Sequence, residues 1–189
     1  MNEILFSHTK FQSTLHERHA PIVKLLQNRN CHFIGVPMHL NIGDHLIMHG
    51  SLEFFRLHNI KITKFATIQS YRNNNIKNSD MLIFAGGGNF GDLYPATHEM
   101  RNKLILEATK QGCPVLILPQ SIWFSNKEKI LNNTNLFKSN KNIFLFTRDI
   151  QSFRIAQTIL YPQNAFFSTG YGALSLSKDI GIYQKHHSN

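Results

Sequence analysis

Cysteine is scarce: Cys31 and Cys113 are the only two in 189 residues, far apart and each in an apolar run. A disulfide framework needs several cysteines, and a zinc knuckle or redox pair needs them closely spaced, so both are excluded and buried free thiols are expected. No apolar run reaches the roughly 18–20 residues a membrane-spanning helix requires, and MNEILFSHTK at the start has no basic segment followed by an apolar core. A cytoplasmic protein is expected. Acidic residues are also few, 11 Asp and Glu against 20 Lys and Arg, leaving a net charge of +9. That balance favours polyanions, anionic lipid headgroups or phosphorylated small molecules. The basic residues are scattered among asparagines, as in YRNNNIKNSD and LNNTNLFKSNKN, without aromatic or Arg-Gly-Gly interleaving, so nucleic acid is not expected as a partner.

What is present is a globular composition, 42% hydrophobic and 16% charged, at a length that suits one domain. Residues 1–30 form an N-terminal helical segment around Leu15, Ile22, Val23, Leu25 and Leu26. CHFIGVP (31–37) reads as a buried strand closed by Pro37, and a helix follows through Leu46, Ile47, Gly50, Leu52, Phe54 and Phe55, with Asp44 at its N-cap. IKITKFA (60–66) alternates like a strand, and an Asn-rich stretch runs to Ser79. MLIFAG (81–86) is the clearest buried strand. It runs into GGGNFGD, which a helix or strand interior is not expected to tolerate.

A helix is predicted from Tyr94 to Gln111, ended by Gly112; PVLILPQ (114–120) is a strand stopped by its proline, and 125–139 is a weaker helix. NIFLFTRD (142–149) is a strand, Phe153, Ile155, Ala156, Ile159 and Leu160 mark a helix bounded by Pro162, and AFFST (165–169) is the last strand. Short apolar strands alternating with helices imply a mostly parallel sheet covered on both faces, a Rossmann-like three-layer α/β sandwich over residues 31–176 followed by a polar tail, 177–189. In such sheets ligands bind outside the carboxyl ends of the strands.

Two of those exits carry the same pattern, Asn41-Ile42-Gly43-Asp44 and Asn89-Phe90-Gly91-Asp92, each before a predicted helix. They suggest two copies of one corner in which Gly permits a positive φ, Asp caps the helix and the freed N–H groups hold an anion; two capped helices and nothing more is the plain alternative. Gly86, Gly87 and Gly88 suit a backbone that approaches a ligand closely, but the run lacks the spacing of a dinucleotide or P-loop fingerprint. Gln120 and Ser121 suit hydroxyl-rich ligands, and Arg148 offers a fork for phosphate or carboxylate unless it simply pairs with Asp149. His45 and His49 lie one turn apart, yet no third ligand matches, and His16 and His19 complete no metalloprotease pattern, so no metal is expected. His39 neighbours the first corner, whereas His98, His186 and His187 are expected at the surface.

The set NIGDHLI, DMLIFAGGGNFGDLY, VLILPQSIWF and FTRDIQSFRIA, in this order and spacing over about Val36 to Leu176, resembles the polysaccharide pyruvyl transferase family. The resemblance implies the N-terminal domain of a two-domain, GT-B-like enzyme. It also implies transfer of the pyruvyl group of phosphoenolpyruvate to hydroxyls of a cell-envelope polysaccharide or its lipid-linked precursor, usually as a cyclic ketal. Where the family usually has a Pro-Asp pair, this chain reads GYGALSL (170–176).

Phosphoenolpyruvate carries two anionic groups, and its acceptor hydroxyl needs a carboxylate to take its proton. Asp44 and Asp92 are therefore the expected catalytic residues. Asn41, Gly43, Gly86, Gly87, Gly88, Asn89, Gly91, Gln120, Ser121 and Arg148 are the expected substrate-binding residues. No cofactor is expected beside the phosphoenolpyruvate donor. A truncated, non-catalytic glycan- or anion-binding module and a sugar-nucleotide glycosyltransferase domain are the alternatives.

A lipid-linked acceptor would place the protein at the inner face of the cell membrane. Lys127, Lys129, Lys138 and Lys141 around Phe137 are the expected peripheral contact, against the plainer reading of a solvated face. An exposed glycine-lined half-cleft is also expected to favour a homo-oligomer.

Overall fold

Cys31–Ile34 (β1), Met81–Phe84 (β3) and Ile143–Thr147 (β6) are short apolar runs, and each pairs in parallel with its neighbours. The computed structural model describes residues 19–138, 140–160 and 164–167. Expectations for Leu15, His16, Pro162, the 168–169 end of the last strand, residues 170–176, the tail 177–189, and His186 and His187 fall outside these residues.

The remaining strands are Ile62–Ala66 (β2), Gly87–Gly91 (β4), Val115–Trp123 (β5) and Ala165–Phe167 (β7). The sheet order is β2-β1-β3-β5-β6-β7, with β4 alongside the second half of β5, and every pairing is parallel.

Side chains alternate across this sheet, and two cores result. Cys31, Phe33, Met81, Ile83, Leu116 and Leu118 pack with Ile22 and Leu26 of a helix over residues 19–26 (α1) and with Phe54 and Phe55 of Ile42–Leu57 (α2). Ile34, Leu82, Phe84, Val115 and Ile117 point the other way. They meet Leu104, Ile105 and Ala108 of Pro95–Lys110 (α3), Phe137 of Lys127–Phe137 (α4), and Ala156 and Ile159 of Ile150–Ile159 (α5). Helices on both faces explain why these strands are continuously apolar rather than alternating. The Rossmann-like three-layer fold is the observed one.

The Asn-rich stretch after β2 is pinned to this frame. Tyr71 is buried and its hydroxyl hydrogen-bonds His32 Nδ1 at 2.7 Å, while Asn73 Nδ2 donates to the Leu104 carbonyl. Cys31 and Cys113 are free and buried, and burial pushes their thiols up to about 12 and about 11, which makes them inert packing groups.

Two expectations about strand ends are corrected. Pro119 does not stop β5, which runs through it to Trp123. The β3 ladder on β5 ends at Ile117 and the β6 ladder is irregular between Ile117 and Gln120, so the missing N–H of Pro119 falls where the regular ladder is already interrupted. The glycine run is likewise strand: Gly87–Gly91 pairs with Gln120, Ile122 and Trp123. Gly87 and Gly91 have φ of +146° and +118°, and a Cβ on Gly91 would lie 1.7 Å from the Trp123 carbonyl oxygen. Here the glycines build a strand rather than interrupt one, because at Gly91 a side chain would collide with the β5 backbone.

The chain leaves β1 for β2 on one side and returns to β3 on the other. The loops after β1 and β3 therefore diverge, and a crevice opens between them at the carboxyl edge.

Candidate functional site

That crevice is a cleft of about 960 Å³. One wall is the β1–α2 connection with His39, Asn41, Gly43 and Asp44; the other is Gly86, Gly88 and Asn89, backed by Tyr94, Thr97 and Arg101 of the α3 start, with Arg148 from the end of β6. The rim is apolar in places: Met38, Leu40 and Ile42 are exposed on the first side, Leu93 and Tyr94 on the second.

Asn41, not Asp44, is the N-cap of α2. Its Oδ1 accepts from the Gly43 N–H at 3.0 Å, and its Nδ2 donates to Asp44 Oδ2 at 2.9 Å. Asp44 thus lies in the first helical turn, where a carboxylate is favoured by the helix dipole, and the cap holds its side chain. Its Oδ1 is 3.8 Å from where a Cβ on Gly87 would stand, so the carboxylate faces the start of the glycine strand. His39 Nδ1 accepts from the Asn41 N–H at 3.3 Å, leaving Nε2 3.5 Å from Asp44 Oδ2. His45 Nε2 donates to the His39 carbonyl at 2.6 Å. Among the described residues no three His, Cys, Asp or Glu come together as a metal site would need.

The second Asn-Phe-Gly-Asp does not repeat this geometry, which corrects the expectation of two equal corners. The cap of α3 is Tyr94, with no side-chain bond, and Pro95 starts the helix. Asp92 instead accepts from the Ser125 N–H and hydroxyl beyond β5. Those hydrogen bonds hold its carboxyl below the usual range. Asp92 and Gly91 are not among the cleft residues, and neither are Gln120 and Ser121. Gln120 is fully buried and its Nε2 donates to the Ala85 carbonyl at 2.6 Å, bracing the β3–β4 break from below.

Arg148 Nε donates to Ser121 Oγ at 2.8 Å, and Ser121 Oγ donates in turn to Asp149 Oδ2 at 2.9 Å. The serine thus stands between two charges for which direct pairing was the plain expectation. Burial raises the Asp149 carboxyl, but bonds from Ser152 and Ser121 and the Arg148 charge outweigh it, and it lies below the usual range.

Two residues that shape this site escaped the sequence reading. His98, expected at the surface, is buried: its Nδ1 accepts the Gly91 N–H at 3.1 Å, and its Nε2 is 2.9 Å from Asn133 Oδ1. With Nδ1 accepting, the neutral ring carries its hydrogen on Nε2 and donates to Asn133. Burial pushes this imidazole down to about 4. Arg101, also buried, donates from Nη1 to the Asn89 carbonyl at 3.0 Å and from Nη2 to Asn89 Oδ1 at 2.5 Å. The signal for both was spacing: 98, 101, 105 and 108 form one helical stripe that ends in core residues.

On α4, Phe137 packs in the core and not beside the lysines at the surface; Leu131 and Leu136 are the exposed apolar residues there. No helix among the described residues is long and apolar enough to cross a membrane.

A parallel α/β sandwich with a glycine-walled cleft at the switch point of its strand order defines a class of ligand-binding domains. Residues 41–169 match the family model described as polysaccharide pyruvyl transferase, and the chain belongs to that family. It is 33% identical over 136 residues to EpsO of Bacillus subtilis (strain 168), assigned as a pyruvyl transferase, covering 71% of this chain and 39% of that protein. It is 30% identical over 151 residues to pyruvyl transferase 1 of Schizosaccharomyces pombe, covering 71% and 37%. The chain thus spans about two fifths of the length of these curated relatives. A crystal structure of an uncharacterised Klebsiella pneumoniae protein superposes with a TM-score of 0.53 at 23% identity, covering 89% of this chain and 56% of that one, a likeness of fold.

Proposed function

We propose that this chain serves transfer of the pyruvyl group of phosphoenolpyruvate to hydroxyls of a cell-envelope glycan or its lipid-linked precursor. The observation that carries this reading is the placement of Asp44: a carboxylate held by Asn41 at the mouth of the cleft, facing a glycine wall backed by the guanidinium groups of Arg101 and Arg148. Family membership supports the pyruvyl group as the cargo.

In this reading Asp44 takes the proton of the acceptor hydroxyl as its oxygen bonds to C2 of phosphoenolpyruvate, and C3 gains a proton to become a methyl group. A second hydroxyl on the same sugar then displaces phosphate. The balance is one diol and one phosphoenolpyruvate to one cyclic ketal and one inorganic phosphate, with one hydroxyl proton ending on carbon and the other on phosphate. Asn41 orients the base, and His39 beside it is the nearest group able to relay the proton.

The test is phosphate release from phosphoenolpyruvate in the presence of an envelope glycan. Asp44→Asn should lower the rate about 10²-fold or more, the usual loss when a general base is removed, with little change in fold. Glycan binding without phosphate release would replace this reading with a non-catalytic binding module. Hydrolysis of a sugar nucleotide would replace it with a glycosyltransferase.

A further inference from the structure

Arg101 is only 1% exposed, yet among the described residues no carboxylate lies within ion-pair range of it. Burying an unpaired guanidinium is costly, because the charge loses its hydration without a counter-charge to replace it. Burial pushes it down to about 10, which leaves it charged at neutral pH. Its terminal nitrogens both end on Asn89, its Cζ lies 5.6 Å from the centroid of the Phe90 ring, and its Nε has no hydrogen-bond partner among the described residues.

Two consequences follow for the cleft wall. A guanidinium has donors and no acceptor, so the Asn89 atom that meets it is Oδ1, and the amide orientation is decided. The Asn89 Nδ2 hydrogens are then left for the cleft that Asn89 lines, with no partner among the described residues. At the neighbouring position of the same segment, Arg148 Nη2 lies 3.2 Å from where a Cβ on Gly88 would stand, and its Nε is already engaged by Ser121, while Arg148 lines the same cleft as Asn89. Gly88 and Asn89 are thus flanked by two cations, while Asp44, the carboxylate of the cleft, stands on the opposite wall.

We propose that the Asn89 amide and Arg148 form an oxyanion subsite on the β4 wall, with Arg101 as the positioning residue that aims Asn89 and supplies buried positive charge beneath it. The identity of the oxyanion, the phosphoryl or carboxylate group of phosphoenolpyruvate, rests on the function proposed above; the subsite rests on the geometry. It gives the cleft a polarity, with the donor's charged end against β4 and the acceptor hydroxyl against Asp44.

The test titrates the full chain calorimetrically with phosphoenolpyruvate, inorganic phosphate and pyruvate, and follows each variant by thermal melting. Asn89→Asp supplies the missing counter-charge to Arg101 and removes the amide donor. The melting temperature should hold or rise while oxyanion affinity falls at least tenfold. Asn89→Ala removes the donor without adding charge and should also lose about tenfold. Arg101→Lys keeps the charge but not the fork, and should weaken binding to a similar degree.

Wild-type binding of phosphoenolpyruvate that is unchanged in Asn89→Asp and Asn89→Ala would overturn the subsite while leaving the donor reading in place. Binding of inorganic phosphate but not of phosphoenolpyruvate, lost in both variants, would support the subsite and remove the donor reading. Binding of pyruvate but not phosphate would assign the subsite to the carboxylate. Binding of none of the three would overturn it.

Discussion

Asp92 and Ser125, 33 positions apart, are joined by three hydrogen bonds: the Ser125 N–H reaches both carboxylate oxygens at 2.9 and 3.0 Å, and its hydroxyl donates to Oδ2 at 2.5 Å. The pair fastens the end of β4 to the exit of β5 just before α4 begins. The second Asn-x-Gly-Asp is therefore a clasp, where the first is the start of a helix.

This clasp has a pH signature. Ser125 lowers the Asp92 carboxyl from its ordinary value of 3.8, so the bond contributes stability that is present above that value and is lost as pH falls through the depressed one. Ser125→Ala should melt a few degrees below wild type near neutral pH. The gap should close progressively in melts taken below pH 3.8.

His98 acts over a higher window. Its folded value of about 4 lies below the ordinary 6.5, so the unfolded chain binds the proton first and stability falls as pH drops from 6.5 toward 4. The slope from one such group approaches about 1.4 kcal/mol per pH unit. Urea unfolding of His98→Gln across this range should show a shallower decline than wild type. His32, also shifted down by burial, titrates in both proteins and cancels in the difference.

Neighbouring glycines should respond very differently to alanine. At Gly91 the added Cβ meets the Trp123 carbonyl at a φ of +118°, and Gly91→Ala should cost more than about 3 kcal/mol or prevent folding. At Gly88 the nearest atom is the far end of the Arg148 side chain, at 3.2 Å, which can move. Gly88→Ala should keep its melting temperature within a few degrees and weaken oxyanion binding by displacing that guanidinium. Equal melting losses in the two variants would contradict this account.

The sheet and its helices were legible in the sequence because both faces of β1, β3, β5 and β6 are covered, and continuous burial writes itself as short apolar runs between amphipathic stretches. The boundaries of α3, expected from Tyr94 to Gln111 and observed as Pro95–Lys110, were legible to within a residue for a similar reason: proline at the first helical position and Gly112, with φ of +76°, just past the end are local requirements.

The strand through Gly87–Gly91 and the passage of β5 through Pro119 were not legible, since local preference argues against both and the ladder that accepts them is supplied by residues distant in sequence.

Asp44 and Arg148 were found at the cleft because strand exits in a parallel sheet converge there, so their chemistry and position in sequence were enough. Arg101 and His98 were decided only by the tertiary structure. A polar side chain on a helix is ordinarily solvated, and whether it is buried instead depends on partners such as Asn89 and Asn133, which the chain brings to it from neighbouring elements. Local sequence thus determined which segments are strand and helix wherever burial was uniform. The fold alone determined which Asn-x-Gly-Asp became a helix start, which became a clasp, and which cation stands buried behind the cleft, because hydrogen-bond partners distant in sequence decide the cost of each polar group.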